Sequence, residues 1–279
     1  MNVFVIGAGT MGSGIAQVFS QYGYKTMLWD SNNNNLKKGL TGIKKNLERL
    51  NKKQKISEID LEKALSKITI GKGLEDAYYS ELVIEAINEE IEVKRDLFIK
   101  LDNICKPEAI FASNTSSIPI SYITKSVKRS SKIIGMHFFN PVPVMKLVEI
   151  IRSLNTSNET LNKIKKIVKS IGKEYVEVKE CPGFIVNRIL IPMINEAVSI
   201  LGDSLATKEN IDKAMIFGAN HPIGPLALAD IIGIDICLNI LEFLTEETGN
   251  KKYKPDPLLK KMVDNGYLGK KSGKGFYKY

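Results

Sequence analysis

Histidine, cysteine and long apolar runs are scarce in this chain of 279 amino acids. Its three cysteines, Cys105, Cys181 and Cys237, lie far apart and match neither a paired metal-ligand spacing nor an even disulfide framework. No run of about 18 apolar residues occurs, which argues against a transmembrane helix. The chain opens on the apolar run at 3–6 without a basic leader, so we expect a cytoplasmic protein. We expect no bound metal and no membrane partner.

Positive charge is in excess, at +9, and most of that excess lies in one segment. Eleven lysines and arginines fall between Lys37 and Lys72 against four acidic residues, which leaves a local balance of +7. A solvated helical face explains such a cluster, and so does a docking surface for an anionic ligand. Aromatic interleaving and the motifs of DNA-binding folds are absent, so we expect no nucleic-acid partner. A compact polyphosphate ligand is therefore a candidate partner for this basic segment.

Strand-like and helical patterns alternate over residues 1–181. An apolar run at 2–6, a helical pattern at 12–23 and a second run that ends at Asp30 have the spacing of a parallel βαβ unit. Leucines and isoleucines at helical spacing over about 36–68 predict an inserted helical hairpin. The alternation predicts a doubly wound, Rossmann-type, mostly parallel sheet that binds a dinucleotide.

Residues 182–279 show a different pattern, in which no clear strand is present. We therefore expect an all-α C-terminal domain. Its predicted helices lie at 184–201, where Pro192 predicts a kink, and at 207–218, 225–245 and 256–265.

A glycine-rich turn follows the first predicted strand and opens the first predicted helix. Gly7, Gly9 and Gly12, with Thr10 and Met11 between the last two, form a G-x-G-x-x-G run. The first glycine permits the tight turn, the second lets a pyrophosphate approach the backbone, and the third lets the helix pack closely on the strand. The N–H groups at the start of the helix then face the phosphates.

Asp30 ends the second predicted strand, 18 residues beyond Gly12. A carboxylate at this point can accept hydrogen bonds from the adenosine ribose, and it repels a 2′-phosphate. The sequence therefore predicts NAD rather than NADP. The alternative interpretation is that Asp30 is the N-cap of the following helix.

The chain has two histidines, and they differ in their surroundings. His221 lies between Asn220 and Pro222, which predicts a structural loop residue. His137 ends an apolar run, and Glu149 lies in the next strand-like run, where it could lie alongside the imidazole. A carboxylate on one ring nitrogen fixes the tautomer and leaves the other nitrogen as the base that alcohol oxidation needs. A lone histidine at a strand end is otherwise more often structural.

Two further polar features are candidates for the site. Small polar residues at 113–117 follow a predicted strand and could line the ligand crevice, although Ser116 or Ser117 could also cap the next helix. Asn187 lies on an otherwise apolar helix, so its amide needs a partner, either another helix or a substrate carbonyl.

The chain resembles the L-3-hydroxyacyl-CoA dehydrogenase family over essentially its whole length. The resemblance is carried by five motifs: VIGAGTMGSG (5–14), ASNTSS (112–117), HFFNPVPVMKLVEI (137–150), PGFIVNR (182–188) and GKKSGKGFY (269–277). It implies an NAD-dependent enzyme that interconverts (S)-3-hydroxyacyl-CoA and 3-oxoacyl-CoA. A short acyl chain is favoured, as in 3-hydroxybutyryl-CoA and acetoacetyl-CoA.

The resemblance also implies roles for individual residues. His137 is the general acid/base, Glu149 orients it, and the oxygens of the substrate are held by Ser116 and Asn187. The family positions near the cofactor are matched by Glu89, Lys94, Ser116, Asn140 and Lys271.

The acyl-CoA substrate is expected to dock on the lysine-rich hairpin. Lys53 matches a coenzyme A contact, and Asn46 stands where some members have a serine. The family further implies a homodimer, or an oligomer built from dimers, that forms through the helical domain. A dehydrogenase of a free hydroxy acid and a non-catalytic dinucleotide-binding protein are the two alternative functions.

Overall fold

The structure is a computed structural model that describes residues 1–125 and 127–279. These residues form two compact units, Met1–Glu180 and Cys181–Tyr279. The first unit is built on one sheet. Its strands are β1 (Asn2–Ile6), β2 (Lys25–Trp29), β3 (Ile68–Ile70), β4 (Leu82–Glu85), β5 (Ile110–Ser113), β6 (Ile133–Phe138), β7 (Leu147–Arg152) and β8 (Glu174–Lys179).

Helices connect most of these strands. They are α1 (Thr10–Gln21), α2 (Asn33–Lys52), α3 (Glu58–Ser66), α4 (Ile91–Ile104), α5 (Ile120–Thr124) and α6 (Asn158–Ser170), with short 3₁₀ turns at Leu74–Tyr79 and Ser130–Lys132. The apolar faces of α1, α2 and α6 pack with the sheet into a single core that includes Phe19, Leu47 and Ile164.

The strand order is β3-β2-β1-β4-β5-β6-β7-β8, and the β6–β7 pair is antiparallel whereas the other neighbours are parallel. The order reverses between β1 and β4, the place where open α/β sheets bind their ligands. The predicted doubly wound, mostly parallel sheet is therefore confirmed. Its central strands are continuous apolar runs because both faces of the sheet are covered.

The inserted hairpin consists of α2 and α3. Asn32 caps α2 by accepting a hydrogen bond from the backbone N–H of Asn34, and Ser57 caps α3 through a reciprocal pair of bonds with Asp60. The buried face of α2 contains Leu36, Gly39, Ile43 and Leu47, which leaves its lysines on the exposed face. Both helices form because their apolar residues recur at the helical period, so one side of each can pack on the core.

The second unit is helical, as predicted. Its helices are α7 (Val186–Gly202), α8 (Lys208–Gly218), α9 (Pro225–Ile232), α10 (Ile234–Thr248) and α11 (Pro257–Asp264). The single helix predicted over 225–245 is wrong, because the chain breaks at Gly233. This residue has φ of 110°, a conformation that is strongly disfavoured for residues with a Cβ. Within the described residues, no helix is both long and apolar enough to span a membrane.

Candidate active site at the carboxyl edge of the sheet

The predicted site residues of the first unit collect where parallel strands end. The register pairs Ile6 with Glu85, Glu85 with Ser113, and Ser113 with Gly135, so these residues form one row across β1, β4, β5 and β6. His137 lies two residues beyond Gly135 on β6. It therefore extends past the row on the same edge at which the glycine turn leaves β1. Ligands of open α/β sheets bind outside this edge.

The glycine turn has room for a phosphate. Gly7 has φ of +100°, and a Cβ on it would collide with the carbonyl of Ala86. A Cβ on Gly12 would collide with the carbonyl of Gly7, so this contact requires glycine. A Cβ on Gly9 would meet no described atom within 4 Å. Helix α1 begins directly after Gly9 without a side-chain cap, so the residues present fit the pyrophosphate of a dinucleotide at these N–H groups.

Asp30 follows β2 and is bonded to the glycine turn. Its Oδ2 accepts a hydrogen bond from the backbone N–H of Ala8 at 2.8 Å, and its Oδ1 accepts one from the backbone N–H of Asn32 at 2.8 Å. The interpretation of Asp30 as an N-cap is wrong, because Asn32 caps α2. Oδ1 also accepts a hydrogen bond from the side-chain amide of Asn35 at 3.4 Å. The carboxylate stays partly exposed, and its Oδ2 has a second lone pair with which to accept a ribose hydroxyl.

A charged cluster with a buried centre lies between the glycine turn and β5. Lys94 of α4 is 1% exposed, and its Nζ lies 2.5 Å from Oε1 of Glu85 and 3.1 Å from Oε2 of Glu89. Glu85 also accepts hydrogen bonds from the Ser113 hydroxyl at 2.6 Å and from the backbone N–H of Ile87 at 2.8 Å. The buried charges of Lys94 and Glu85 are therefore paired, as burial requires, and Glu89 adds a second carboxylate that is partly exposed.

The charge states of Lys94 and Glu89 are fixed by their contacts. Burial opposes the charge on Lys94, but the two nearby carboxylates outweigh it and raise the pKa of the ammonium above its ordinary value. Burial likewise opposes the charge on Glu89, but Lys94 and the hydrogen bonds donated by Thr115 and Ser116 hold the pKa of this carboxyl below its ordinary value. Both groups are therefore charged at neutral pH.

The segment after β5 is bound to Glu89. Its Oε1 accepts hydrogen bonds from the Thr115 hydroxyl at 2.5 Å and from the backbone N–H of Ser116 at 2.8 Å. The alternative that Ser116 or Ser117 caps the next helix is wrong, because α5 begins at Ile120 and Pro119 stands at its N-cap. The serines are held at the site by a carboxylate and not by a helix.

His137 and Glu149 form a buried pair. The antiparallel register places them directly opposite each other on β6 and β7, with 2.7 Å between His137 Nδ1 and Glu149 Oε2. His137 is 6% exposed and Glu149 is fully buried. The ring of Phe139 packs against the imidazole at 4.5 Å between centroids. A carboxylate at Nδ1 holds the proton of a neutral imidazole there, so Nε2 is the basic nitrogen.

Other predicted residues lie elsewhere in the fold. Asn140 is exposed in the turn after β6, and Asn46 and Lys53 are exposed on α2 and at its C-terminal end. Asn187 lies in the first turn of α7, in the second unit. Lys271 also belongs to that unit, where its Nζ lies 2.6 Å from Oδ2 of Asp235.

Sequence reasoning missed two polar residues at this edge, Glu85 and Lys173, and it placed Asn114 in the polar run at 113–117 without predicting its partner. Glu85 could have been found, because an acid inside the apolar run LVIEA signals a buried charge that needs a partner. Asn114 accepts a hydrogen bond from the backbone N–H of Phe138 at 2.9 Å, and so ties the end of β5 to the strand of His137. Its contact, like that of Lys173, depends on a distant part of the chain and has no local signal.

Hydride transfer to a dinucleotide requires a phosphate cradle and a group that handles the alcohol proton. The carboxyl edge of this sheet offers both. By fold and site, the protein belongs to the class of dinucleotide-dependent dehydrogenases.

Two family models define that class further. The NAD binding domain of 3-hydroxyacyl-CoA dehydrogenase matches residues 2–181, and the C-terminal domain of 3-hydroxyacyl-CoA dehydrogenase matches residues 183–279. The chain therefore belongs to the 3-hydroxyacyl-CoA dehydrogenase family. The family and the NAD-dependent oxidoreductase class predicted from the sequence are confirmed.

Relatives extend over the whole chain. A 3-hydroxybutyryl-CoA dehydrogenase of Clostridioides difficile is 49% identical over 279 residues, which cover 100% of this chain and 99% of the relative. One from Bradyrhizobium diazoefficiens is 47% identical, over 99% of this chain and 94% of the relative. The crystal structure of (S)-3-hydroxybutyryl-CoA dehydrogenase from Ralstonia eutropha is similar with a TM-score of 0.95 at 46% identity, over 100% of this chain and 98% of that chain.

Proposed function

We propose that the protein interconverts (S)-3-hydroxybutyryl-CoA and acetoacetyl-CoA with NAD, and that His137 is its general acid/base. The observation that carries this proposal is the 2.7 Å contact between His137 and Glu149 at the edge of the sheet that bears the glycine turn. The substrate is inferred from the relatives named for it, which match the chain from end to end.

The proton is handled by the His137–Glu149 pair. Nε2 of His137 takes the proton from the substrate hydroxyl in oxidation and returns a proton to the carbonyl oxygen in reduction. Glu149 holds the tautomer and stabilises the imidazolium when it forms, while Phe139 packs on the ring. The chemistry that the cofactor supplies when bound is acceptance or donation of a hydride.

Ser116 carries a hydroxyl and Asn187 an amide, and each is a suitable hydrogen-bond donor to an oxygen of the substrate. Glu89 supports this role because its Oε1 accepts a hydrogen bond from the backbone N–H of Ser116 at 2.8 Å, which holds the serine in place. On the cofactor side we place the glycine turn with Thr10 and Met11, Asp30 at the ribose, and the polar residues Glu89, Lys94, Ser116, Asn140 and Lys271.

Coenzyme A docks on the exposed face of α2. That face carries six basic residues, Lys37, Lys38, Lys44, Lys45, Arg49 and Lys52, and it continues into Lys53. Phosphate groups are the natural partners of such a surface. Gly39 of α2 also packs close to the carbonyl of Ala8, so the hairpin adjoins the glycine turn. Asn46 lies on the same exposed surface.

We also propose a homodimer, or an oligomer built from dimers, that works in the cytoplasm. The second unit supports this assembly, because Ile189 of α7 is 67% exposed and Phe217 of α8 is 82% exposed. Exposed apolar side chains of this size are typical of surfaces that another chain covers. The unpaired state of Cys105, Cys181 and Cys237 is compatible with a reducing compartment.

The decisive experiment follows NADH consumption with acetoacetyl-CoA and with free acetoacetate. We expect turnover with the thioester and little with the free acid, because the acid has no phosphates for α2 to bind. Equal turnover of the two would favour the alternative, a dehydrogenase of free hydroxy acids. A series of 3-oxoacyl-CoA chain lengths then measures the preference for the short chain.

A further inference from the structure

A buried lysine supports the turn that joins the two members of the catalytic pair. Lys173, just before β8, is 6% exposed, and its Nζ donates hydrogen bonds to the carbonyls of Val142 and Met145, both at 2.7 Å. Among the described residues no carboxylate forms an ion pair with it. Burial lowers the pKa of this ammonium. A buried lysine whose only hydrogen-bond partners are two backbone carbonyls is uncommon, because buried charges are usually paired with opposite charges.

The turn itself spans residues 139–146 and folds around one carbonyl. The oxygen of Pro141 accepts hydrogen bonds from the backbone N–H groups of Val144 at 2.9 Å and Met145 at 3.0 Å. The carbonyls of Val142 and Met145 take no part in these bonds. Both instead accept hydrogen bonds from Lys173. A buried carbonyl without a donor is costly, so removal of the ammonium destabilises this conformation of the turn.

The opposite side of the turn is bounded by the dinucleotide-binding helix. A Cβ built on Gly14 of α1 would lie 2.9 Å from Cβ of Val142, closer than ordinary side-chain contacts allow. Val142 is itself 2% exposed. The turn is thus enclosed between α1, which begins at the glycine turn, and the ammonium of Lys173.

The turn begins two residues after His137 and ends three residues before Glu149. Phe139, which packs against the imidazole at 4.5 Å, is its first residue, and Asn140 is the second. Its other end enters β7, where Glu149 is the third residue. A shift of the turn therefore displaces Phe139 and Asn140 first and then the imidazole.

We propose that Lys173 is a positioning residue, which holds the turn at 139–146 against α1 and thereby sets the place of the His137 imidazole relative to the dinucleotide crevice. This inference rests on the proposed function of His137. Lys173 itself touches neither substrate nor cofactor. Its contribution is geometric, and misplacement of a catalytic group by about 1 Å can cost about 100-fold in rate.

The test compares Lys173→Met with Lys169→Met. Methionine keeps much of the packing volume of lysine but loses the N–H donors. Lys169 is a nearby lysine on α6 that pairs with Glu174 at the surface, so its variant removes the same charge without touching the turn. We expect Lys173→Met to lower kcat for acetoacetyl-CoA by about 10- to 100-fold with KM for NADH changed less than about threefold. Lys169→Met should leave both constants near wild type. A kcat of Lys173→Met within threefold of wild type overturns the inference.

A second variant and a second measurement separate positioning from a failure to fold. Gly14→Ala pushes the turn from the side of α1, so it should lower kcat while Lys173 stays in place. Hydrogen exchange of the amides of Val144 and Met145 should rise in Lys173→Met and stay unchanged in Lys169→Met. If hydrogen exchange of these two amides is unchanged in Lys173→Met, the inference that Lys173 holds the turn is overturned, whatever the activity of the variant. If the wild-type enzyme reduces none of the 3-oxoacyl-CoA substrates tried, the proposed function is overturned. The hydrogen-exchange measurement then still tests whether Lys173 holds the turn at 139–146.

Discussion

The pair His137–Glu149 and the cluster Glu85–Lys94–Glu89 lie on the same edge of one sheet, yet their chemistry differs. The lysine of the cluster has a raised pKa and Glu89 a lowered one, so their charges persist through the neutral range. The pair contains an imidazole, a side chain that can accept a proton at one ring nitrogen and donate one from the other. Permanent charges suit a scaffold that holds a loop, whereas an exchangeable proton suits a reaction. We therefore expect changes in the pair to act on rate and changes in the cluster to act on stability.

The largest effect should come from His137→Gln. Loss of the base should lower kcat for acetoacetyl-CoA by about 10²- to 10⁴-fold, since proton transfer by a positioned group contributes this much. NADH affinity, measured by quenching of the single tryptophan, Trp29, should change little. His221→Gln is the matched control, because the only other histidine of the chain lies in a loop of the second unit. A loss below tenfold for His137→Gln would remove this residue from the base role.

Lys94→Met should test the cluster. Removal of the ammonium leaves the fully buried Glu85 without its cation, and one broken buried pair costs about 3–5 kcal/mol in the free energy of unfolding. Lys165→Met removes the exposed pair with Glu177 and should cost less than about 1 kcal/mol. Urea unfolding of both variants measures the difference. If the two variants lose equal stability, the cluster is not a scaffold and the contrast with the catalytic pair is lost.

The pH dependence of stability should come in part from Glu89. Its pKa is lower in the folded protein than the ordinary 4.5, so its contribution is fully present above pH 4.5 and is lost as the pH falls through the folded value. Wild type should therefore lose more stability than Glu89→Gln between neutral pH and the acid range below 4.5. Unfolding midpoints of both proteins across this range provide the measurement. Parallel curves would show that Glu89 contributes nothing to the acid sensitivity.

Asp30→Ala should narrow the preference for NAD over NADP. The carboxylate repels a 2′-phosphate and can accept ribose hydroxyls, so its loss should reduce the ratio of kcat/KM values by about tenfold, the equivalent of one charged hydrogen bond. Part of the loss will fall on both cofactors alike, because the carboxylate also binds the backbone of Ala8. This common loss cancels in the ratio of the kcat/KM values for NAD and NADP. An unchanged ratio contradicts the assignment of Asp30 to the ribose.

The two halves of the site differ in how far the sequence predicted them. Gly7, Gly9 and Asp30 carry local signals, because each acts through its own turn or strand end. The contact of His137 with Glu149 depends on the register of an antiparallel pair, and their separation of 12 residues across one turn was enough to suggest it. Lys173 binds carbonyls 28 and 31 residues away, so no short window of the sequence contains the lysine and its partners.

Errors in the predicted helices have an equally local cause. The pattern over 225–245 keeps its helical period across Gly233, so periodicity cannot show the break that its positive φ produces. The interpretation of Asp30 as an N-cap failed by two residues, because Asn32 competes for the same function and accepts the N–H of Asn34. Cap identity is decided by backbone angles that neighbouring polar residues can adopt almost equally well.

The smallest expected effect concerns the exposed lysines of α2, which belong neither to the His137–Glu149 pair nor to the cluster around Lys94. Charge reversal of Lys52 and Lys53 together should raise KM for acetoacetyl-CoA a few fold, about 1 kcal/mol, with KM for NADH nearly unchanged. The effect should shrink as salt is added, because exposed charges are screened over about 10 Å at moderate ionic strength. Charge reversal of Lys260 and Lys261, exposed on α11, is the matched control and should change neither constant. An equal effect of the two double variants would mean that the net charge of the protein, and not a coenzyme A surface on α2, sets the affinity.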